Sequence, residues 1–368
     1  MNILHVNNMD LVGGRFNGHD MQRMLNKIGH TANQMVMERI GEDSHTVLLS
    51  SYNGDQYLRR RIMQCEKELS LHGMLYPYFF RLMDDSLFKG ADLIHLHLLH
   101  NYFGSLAVLP ELSRRKPSVL TIHDPWIFTG HCIYPIDCER WKTGCGECEF
   151  LNLNFPMDED RTALQWQLKK SCFSKADLDF VVASPYMMEL AKESPIIRYM
   201  ERVHLIPFGI DIQCFSPTRG KNKARQRFGI PKENFVLCFR ADPSAYKGFE
   251  SIKKLLDRLD RKQSVTLLAV GNQGMLTKYS GQFQVVDCGW ITDDDLMADA
   301  YCACDIFLMP SVAEAFGLMA IEAMPVVRTF FICGMKTTGE SILRRVNINF
   351  QGQKIILLTI LLAWTLKG

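Results

Sequence analysis

The chain has 368 residues, of which 47% are hydrophobic and 22% charged, a composition typical of a folded globular protein and not of a disordered one. Its length predicts about two domains, at roughly 150 residues each. A formal net charge of +2 supplies no strong positive field, so we expect no nucleic-acid partner.

No segment of the sequence predicts membrane insertion or secretion. The longest apolar run, 355–364, is about half of the roughly 20 residues that a membrane-spanning helix needs. The N-terminus lacks the basic stretch, apolar core and cleavage site of a secretory leader. We therefore expect a cytoplasmic chain whose 12 cysteines are thiols or metal ligands and not disulfides.

The first half alternates short β-rich runs with segments of helical period, which is typical of a parallel sheet covered by helices. A glycine-rich turn, 13–18, separates the first strand from a helix that begins near Gly18 and carries Met21, Met24, Leu25 and Ile28 on one face. The predicted strands are Ile3–Val6, Thr46–Leu49, Leu93–Leu98, Ser118–Ile122 and Phe180–Ala183. These elements predict a first α/β domain over residues 1–203.

A stretch punctuated by Pro and Gly, 204–216, predicts a linker. The same alternation restarts after it and predicts a second α/β domain over 217–327. Its predicted strands are Phe235–Phe239, Val265–Val270, Gln284–Val286 and Asp305–Met309, and its predicted helices are Lys247–Leu259 and Asp294–Ala303.

Residues 328–368 differ from the rest of the chain. They hold six basic residues and one acidic residue and show no clear alternation of strand and helix. We interpret them as a divergent tail, which leaves the second domain incomplete.

The strongest chemical pattern is a pair of carboxylates, Glu314 and Glu322, with Gly317 between them. They follow a predicted strand, so they belong to a loop that opens into a helix. The free N–H groups and positive dipole end of such a helix suit a diphosphate, and each carboxylate can accept hydrogen bonds from sugar hydroxyls. A plain alternative is open, since Glu is favourable in the first turn of any helix.

Several segments, in order, resemble the retaining GT-B glycosyltransferases of glycosyltransferase family 4, of the bacterial capsule and exopolysaccharide type. The segment 307–324 resembles the family's E-x7-E signature. The other matching segments are 1–24, 91–97, 119–130, 203–211, with Phe208 where Asn is usual, and 239–248. The resemblance covers residues 1 to about 324. It implies two facing Rossmann-like domains with a cleft between them.

The resemblance also implies roles for individual residues. Arg240 and Lys247 would bind the donor diphosphate, because fixed cations offset the charge that grows on the leaving nucleotide. Glu322 would hold the ribose and Glu314 the transferred sugar. The backbone of Phe316, Gly317 and Leu318 would lie near the phosphates, and Gly13 and Gly14 would bring the first loop close to the donor. As isolated residues, these cations would more often be solvated at the surface.

His123 ends a predicted strand, and within the family pattern it would lie beside the reacting sugar. A single histidine at a strand end is more often structural. The resemblance implies front-face attack within an ion pair, so Glu314 is not assigned as a nucleophile, and no divalent metal is expected at the donor.

Four cysteines, Cys132, Cys138, Cys145 and Cys148, lie within 17 residues of sequence. Four thiols suit a tetrahedral structural Zn²⁺, but the first spacing is longer than that of a zinc knuckle, so free thiols are the open alternative. His95 and His97 share one strand face and His100 is near in sequence. No carboxylate or cysteine accompanies these histidines at ligand spacing, which favours core or cleft-lining roles over a second metal site.

We therefore expect a cytoplasmic glycosyltransferase, peripheral to the inner membrane face if it meets lipid. It would take a sugar from a nucleotide-diphosphate donor to a lipid-linked or polysaccharide acceptor, with retention. The alternative is a catalytically defective, truncated or frameshifted homologue that at most binds a nucleotide or a partner, because the family pattern breaks after Met324. Arg59, Arg60 and Arg61 could attract an anionic lipid surface, but a basic run at a helix start is usually a solvated face, which is the favoured interpretation.

Overall fold

The computed structural model describes residues 1–11, 18–49, 55–197, 199–259, 264–327 and 329–332. The chain divides into two compact units, Met1–Pro207 and Phe208–Gly368. No helix among the described residues is long and apolar enough to cross a bilayer.

The first unit is built on a parallel sheet with helices between its strands. The strands are β1 (Asn2–Met9), β2 (Thr31–Glu38), β3 (Thr46–Leu48), β4 (Leu93–Leu96), β5 (Ser118–Ile122), β6 (Leu178–Val182) and β7 (Val203–Leu205). The helices are α1 (His19–Lys27), α2 (Asp55–Glu68), α3 (Tyr78–Asp84), α4 (Ser86–Gly90), α5 (Leu109–Arg115), α6 (Thr162–Lys175) and α7 (Pro185–Glu193). The strands lie in the order β3-β2-β1-β4-β5-β6-β7.

The second unit repeats this design on a smaller parallel sheet. Its strands are β8 (Phe235–Ala241), β9 (Val265–Gly271), β10 (Gln284–Asp287), β11 (Ile306–Met309) and β12 (Thr329–Ile332). Its helices are α8 (Lys221–Arg227), α9 (Phe249–Leu256), α10 (Asp294–Ala303) and α11 (Leu318–Ala323). The order is β10-β9-β8-β11-β12.

The core of the second unit lies on both faces of its sheet. In β8, Val236 and Cys238 join one apolar cluster, and Leu237 and Phe239 join the other. Successive side chains of a strand point to opposite faces. Since helices cover both faces, the strand is apolar along its length instead of alternating with polar residues. β9 is buried at every residue for the same reason.

Three features of the fold differ from the sequence prediction. The predicted apolar face of α1 is largely exposed at Met21, Met24 and Ile28, because the helix buries His19 and Gln22 instead. α9 begins at Phe249 and not at Lys247, because Gly248 adopts φ 69 and ends a short 3₁₀ turn there. The sequence analysis did not predict β2, because several of its first residues are polar.

The predicted divergent tail begins with a strand. β12 pairs in parallel with β11, and its Thr and aromatic residues have high β propensity. Residues 329–332 of the predicted tail therefore belong to the sheet of the second unit. The rest of the tail lies outside the described residues.

Candidate functional site

Each sheet has one place where the chain order reverses. In the second sheet β9 and β10 extend from one side of β8, whereas β11 and β12 lie on the other. In the first sheet the reversal lies between β1 and β4. The loops at the carboxyl ends of the two flanking strands diverge there and leave a crevice, which is where open parallel sheets bind ligands. The predicted site residues of the second unit come from the end of β8, from the loops after β8 and β11, and from α11.

Arg240 lies near the carboxyl end of β8 and is held by two neighbours. Its Nη2 atom lies 2.6 Å from Asp242 Oδ2, and its guanidinium carbon lies 5.0 Å from the centre of the Trp290 ring. Its Nε atom is buried and has no hydrogen-bond partner among the described residues. The arrangement orients the guanidinium group and leaves further N–H donors, Nε among them, for a ligand.

Lys247 and Glu314 meet each other. Lys247 Nζ lies 2.7 Å from Glu314 Oε1, and both side chains are mostly buried. The structure therefore brings together the proposed phosphate cation and the proposed sugar carboxylate, one from each side of the β8–β11 reversal. A charge-assisted hydrogen bond of this kind fixes both groups.

Gly248 makes the approach of these two loops possible. It has φ +69, and a Cβ built on it would lie 2.0 Å from the carbonyl oxygen of Pro310. The Val312 amide donates to the Tyr246 carbonyl at 2.8 Å in the same region. The loop of Lys247 and the loop that leads to Glu314 are thus in direct backbone contact.

Glu322 is almost completely buried in α11. The hydroxyl of Tyr301, on α10, donates to Glu322 Oε2 at 3.0 Å. Gly317 caps the start of α11 with φ 78, directly before Leu318. The Phe316 ring meets Phe208 edge to face at 5.0 Å, so the unusual Phe208 has a packing role beside this loop.

In the first unit, His123 directly follows β5 and belongs to a chain of imidazoles. Its Nε2 atom lies 3.0 Å from His97 Nδ1. Burial lowers the pKa of His123 to about 3, although the adjacent Asp124 opposes the shift. The ring is therefore neutral at physiological pH. Gly13 and Gly14 lie outside the described residues.

Asp124 ties this strand end to its surroundings. Its carboxylate accepts from the Trp126 amide at 3.0 Å and contacts His100 Nε2 at 2.8 Å. Burial alone would raise the pKa of Asp124, but His100 and these hydrogen bonds hold it below its ordinary value. His100 thus lies beside the carboxylate of Asp124 and not with His95 and His97.

The four clustered cysteines share one neighbourhood after β5. Burial raises the pKa of Cys132 to about 12, and the other three thiols add to the shift. Burial also raises the pKa of Cys145 to about 11, and the Gly130 amide donates to Cys145 Sγ at 3.1 Å. Lys169, fully buried beside them, donates to the carbonyls of Trp126 and Thr129 at 2.7 and 2.9 Å.

A different group forms the tighter cluster of metal-ligating atoms in the described part of the chain. One nitrogen each of His5, His95 and His97 lies within 4.8 Å of the others. The sequence pattern placed His95 and His97 on one face but missed His5, which lies opposite His95 on the neighbouring strand.

Comparisons with known proteins agree with this architecture. Residues 220–334 match the family model described as glycosyl transferases group 1. The glycosyl transferase WcaC of colanic acid biosynthesis in Escherichia coli (strain K12) is 25% identical over 254 residues, which are 65% of this chain and 60% of WcaC. The alignment thus spans less than two thirds of that relative.

Two solved structures share the fold. Sucrose-phosphate synthase from Thermosynechococcus elongatus has a TM-score of 0.60 at 18% identity, over 91% of this chain and 82% of its own. Anabaena Alr3699/HepE in complex with UDP and glucose has a TM-score of 0.57 at 17% identity, over 91% of this chain and 81% of its own. The fold is therefore the α/β fold with parallel sheets found in GT-B glycosyltransferases, as predicted. Within it, 220–334 is the segment similar to glycosyl transferases group 1.

Proposed function

We propose that the protein is a glycosyltransferase that moves a sugar, with retention, from a nucleotide-diphosphate donor to a lipid-linked or polysaccharide acceptor. The observation that carries the proposal is the meeting of Lys247 and Glu314 at the β8–β11 reversal, inside the segment that matches glycosyl transferases group 1. The similarity to WcaC, a glycosyl transferase of colanic acid biosynthesis, and the fold shared with HepE, solved in complex with UDP and glucose, support the substrate class.

Arg240 and Lys247 would bind the diphosphate. The two cations are fixed before the donor arrives, Arg240 by Asp242 and Lys247 by Glu314. Negative charge grows on the diphosphate as the glycosidic bond breaks, and prepositioned cations stabilise that charge without reorganising. The buried Nε of Arg240 adds a hydrogen bond to a phosphate oxygen.

The two carboxylates would orient the sugars. Glu322 would accept from the ribose hydroxyls while Tyr301 holds its other side. Glu314 would accept from a hydroxyl of the transferred sugar while Lys247 holds its Oε1 atom. The backbone of Phe316, Gly317 and Leu318 would approach the phosphates, and Gly13 and Gly14 would approach from the first loop. His123, neutral in this environment, would hydrogen-bond the reacting sugar.

The first test compares UDP binding and sugar-nucleotide turnover in Arg240→Ala, Lys247→Ala and a control, Lys254→Ala. Lys254 is an exposed cation of α9 in the same unit. A hydrogen bond to a charged group is worth about 1.5–3 kcal/mol, so each site variant should bind UDP at least about 10-fold more weakly. Lys254→Ala should bind UDP within about twofold of the parent chain, because an exposed charge contributes little.

Unchanged turnover in both site variants would overturn the assignment of the donor site. Calorimetric titration with UDP and GDP, followed by turnover assays on the same sample, separates the two candidate functions. Nucleotide binding without turnover of any sugar nucleotide would instead favour the catalytically defective homologue.

We also propose a structural Zn²⁺ on Cys132, Cys138, Cys145 and Cys148. The four thiols lie close enough for the other three to act on Cys132, and the amide donated to Cys145 Sγ would stabilise a zinc-bound thiolate. The ion would cross-link the loop that follows the 3₁₀ turn Pro125–Phe128. Zinc content should fall in Cys148→Ser and persist in Cys172→Ser, a cysteine of α6 outside the cluster.

A further inference from the structure

Three buried imidazoles converge at the reversal point of the first sheet. His5 lies in β1, His95 in β4 directly opposite it, and His97 immediately after β4. All three are at least nine-tenths buried. One nitrogen of each ring lies within 4.8 Å of the other two. The proposed donor chemistry uses none of these three residues.

The spacing of two of the nitrogens is that of metal ligands. His5 Nδ1 and His97 Nε2 are 3.4 Å apart. Two nitrogens that bind one tetrahedral Zn²⁺ at about 2.05 Å lie about 3.3 Å from each other. The observed distance therefore fits two ligands of a shared ion.

Two of the three rings have a further partner. His97 meets His123 through its other nitrogen at 3.0 Å, and His95 Nε2 meets Thr121 Oγ1 at 2.7 Å. Such outer contacts fix the tautomer and orientation of a ligating ring. His5 is the exception, because its Nε2 is buried without a hydrogen-bond partner among the described residues. Among the described residues, the hydrogen-bond contact of this fully buried ring is the one between its Nδ1 atom and His97, at 3.4 Å.

A glycine lies beside two of these nitrogens. A Cβ built on Gly18 would lie 2.8 Å from His97 Nε2 and 3.0 Å from His5 Nδ1. Glycine at position 18 therefore lets the backbone pass close to the two nitrogens without a side chain against them.

We propose that His5, His95 and His97 form a binding site for Zn²⁺ or a similar first-row divalent cation, with an open fourth position beside Gly18. Imidazole is a preferred ligand of these ions, and a site with three protein ligands leaves one coordination position free. Through His97, the ion also fixes the orientation of the His123 ring. The ion thereby gives the buried histidines of this strand pair a common partner.

Equilibrium dialysis of the full chain against Zn²⁺ or Co²⁺, in a non-chelating reductant, tests the proposal. The matched variants are His5→Gln, His95→Gln and the control His131→Gln, a buried histidine outside the group. Both site variants should lose one metal equivalent, with affinity reduced at least about 100-fold, and the control should lose none. Cys138→Ser/Cys148→Ser should keep one equivalent, and its Co²⁺ absorption should lack thiolate charge-transfer bands.

A second measurement does not depend on histidine variants, which could lose metal by failing to fold. X-ray absorption at the zinc edge of the Cys138→Ser/Cys148→Ser chain should show imidazole scattering from about three rings per zinc. No imidazole scattering in that spectrum, or equal metal content in the parent chain and a folded His95→Gln, would overturn the site. Neither readout depends on glycosyl transfer, so failure here leaves the proposed function untouched.

Discussion

Gly248→Ala should damage the second unit more than any other conservative change in the loop after β8. The new Cβ would lie 2.0 Å from the Pro310 carbonyl oxygen, whereas carbon and oxygen in ordinary contact are about 3.3 Å apart. The two loops would have to separate by about 1 Å. In addition, φ +69 is a left-handed conformation that costs an L-residue about 1–2 kcal/mol.

The magnitude follows from these two effects. Overpacking a dense site costs about 1–3 kcal/mol, so the free energy of unfolding of the second unit should fall by about 2–5 kcal/mol. Pro310 leads to Glu314, which holds Lys247 at 2.7 Å. A displacement of about 1 Å at a reacting site can reduce the rate about 100-fold, so turnover should fall to a similar extent even in the folded fraction.

Gly274→Ala separates the two effects. Gly274 has φ +80, but a Cβ there would meet nothing within 4 Å, so only the backbone cost of about 1–2 kcal/mol applies. Urea unfolding of both variants, together with UDP binding and turnover, gives the comparison. If Gly248→Ala loses no more stability than Gly274→Ala and keeps full turnover, the contact between the two loops does not position the site.

Two further predictions concern hydrogen bonding and pH. Tyr301→Phe removes the hydroxyl that holds Glu322; if Glu322 binds the ribose, the preference for UDP over 2′-deoxyuridine diphosphate, measured by calorimetry, should shrink about 10-fold. Tyr279→Phe, whose hydroxyl contacts Asp257, should leave that preference unchanged, and an equal loss in both variants would contradict the role of Tyr301. Burial holds the pKa of His72 well below its ordinary value, so the unfolded chain binds more protons below about pH 6.5, and His72 alone should contribute up to about 1.4 kcal/mol per pH unit to the stability that the first unit loses there. Urea unfolding at pH 7 and pH 5 should show a shallower loss in His72→Asn, and identical pH slopes would count against this explanation.

The candidate donor residues were predicted from a resemblance to family motifs. Arg240 and Lys247 belong to one motif and Glu314 and Glu322 to another, but the contact that joins Lys247 to Glu314 was not predicted. The sequence analysis missed Tyr301, because the helical pattern of α10 does not indicate which of its side chains contacts a carboxylate in α11. Trp290 was missed because its contact with Arg240 joins two loops 50 residues apart in sequence.

The histidines show a different limit. A period-2 pattern places His95 and His97 on one face, but His5 joins them only through the register that pairs it with His95. That register depends on β1 and β4 becoming neighbours, which is a property of the strand order and not of either segment. The same limit applies to α1, whose apolar spacing predicted a buried face that the structure leaves largely exposed.

The reversals of strand order explain why the polar side chains with a proposed binding role lie at a few positions of two otherwise apolar sheets. Elsewhere in a parallel sheet, the helices that follow neighbouring strands cross the same edge side by side and fill it with apolar side chains. Where the order reverses, the two connections leave in opposite directions, and the strand ends between them need polar partners or ligands. In the second sheet that position holds Lys247 and Glu314, and in the first it holds His5, His95 and His97. The two positions are alike in topology yet opposite in chemistry: fixed charges that suit a diphosphate in one, and imidazoles that suit a metal ion in the other. A chain that lost the metal site should therefore still bind nucleotide through its second unit, because the two crevices are built from separate sheets.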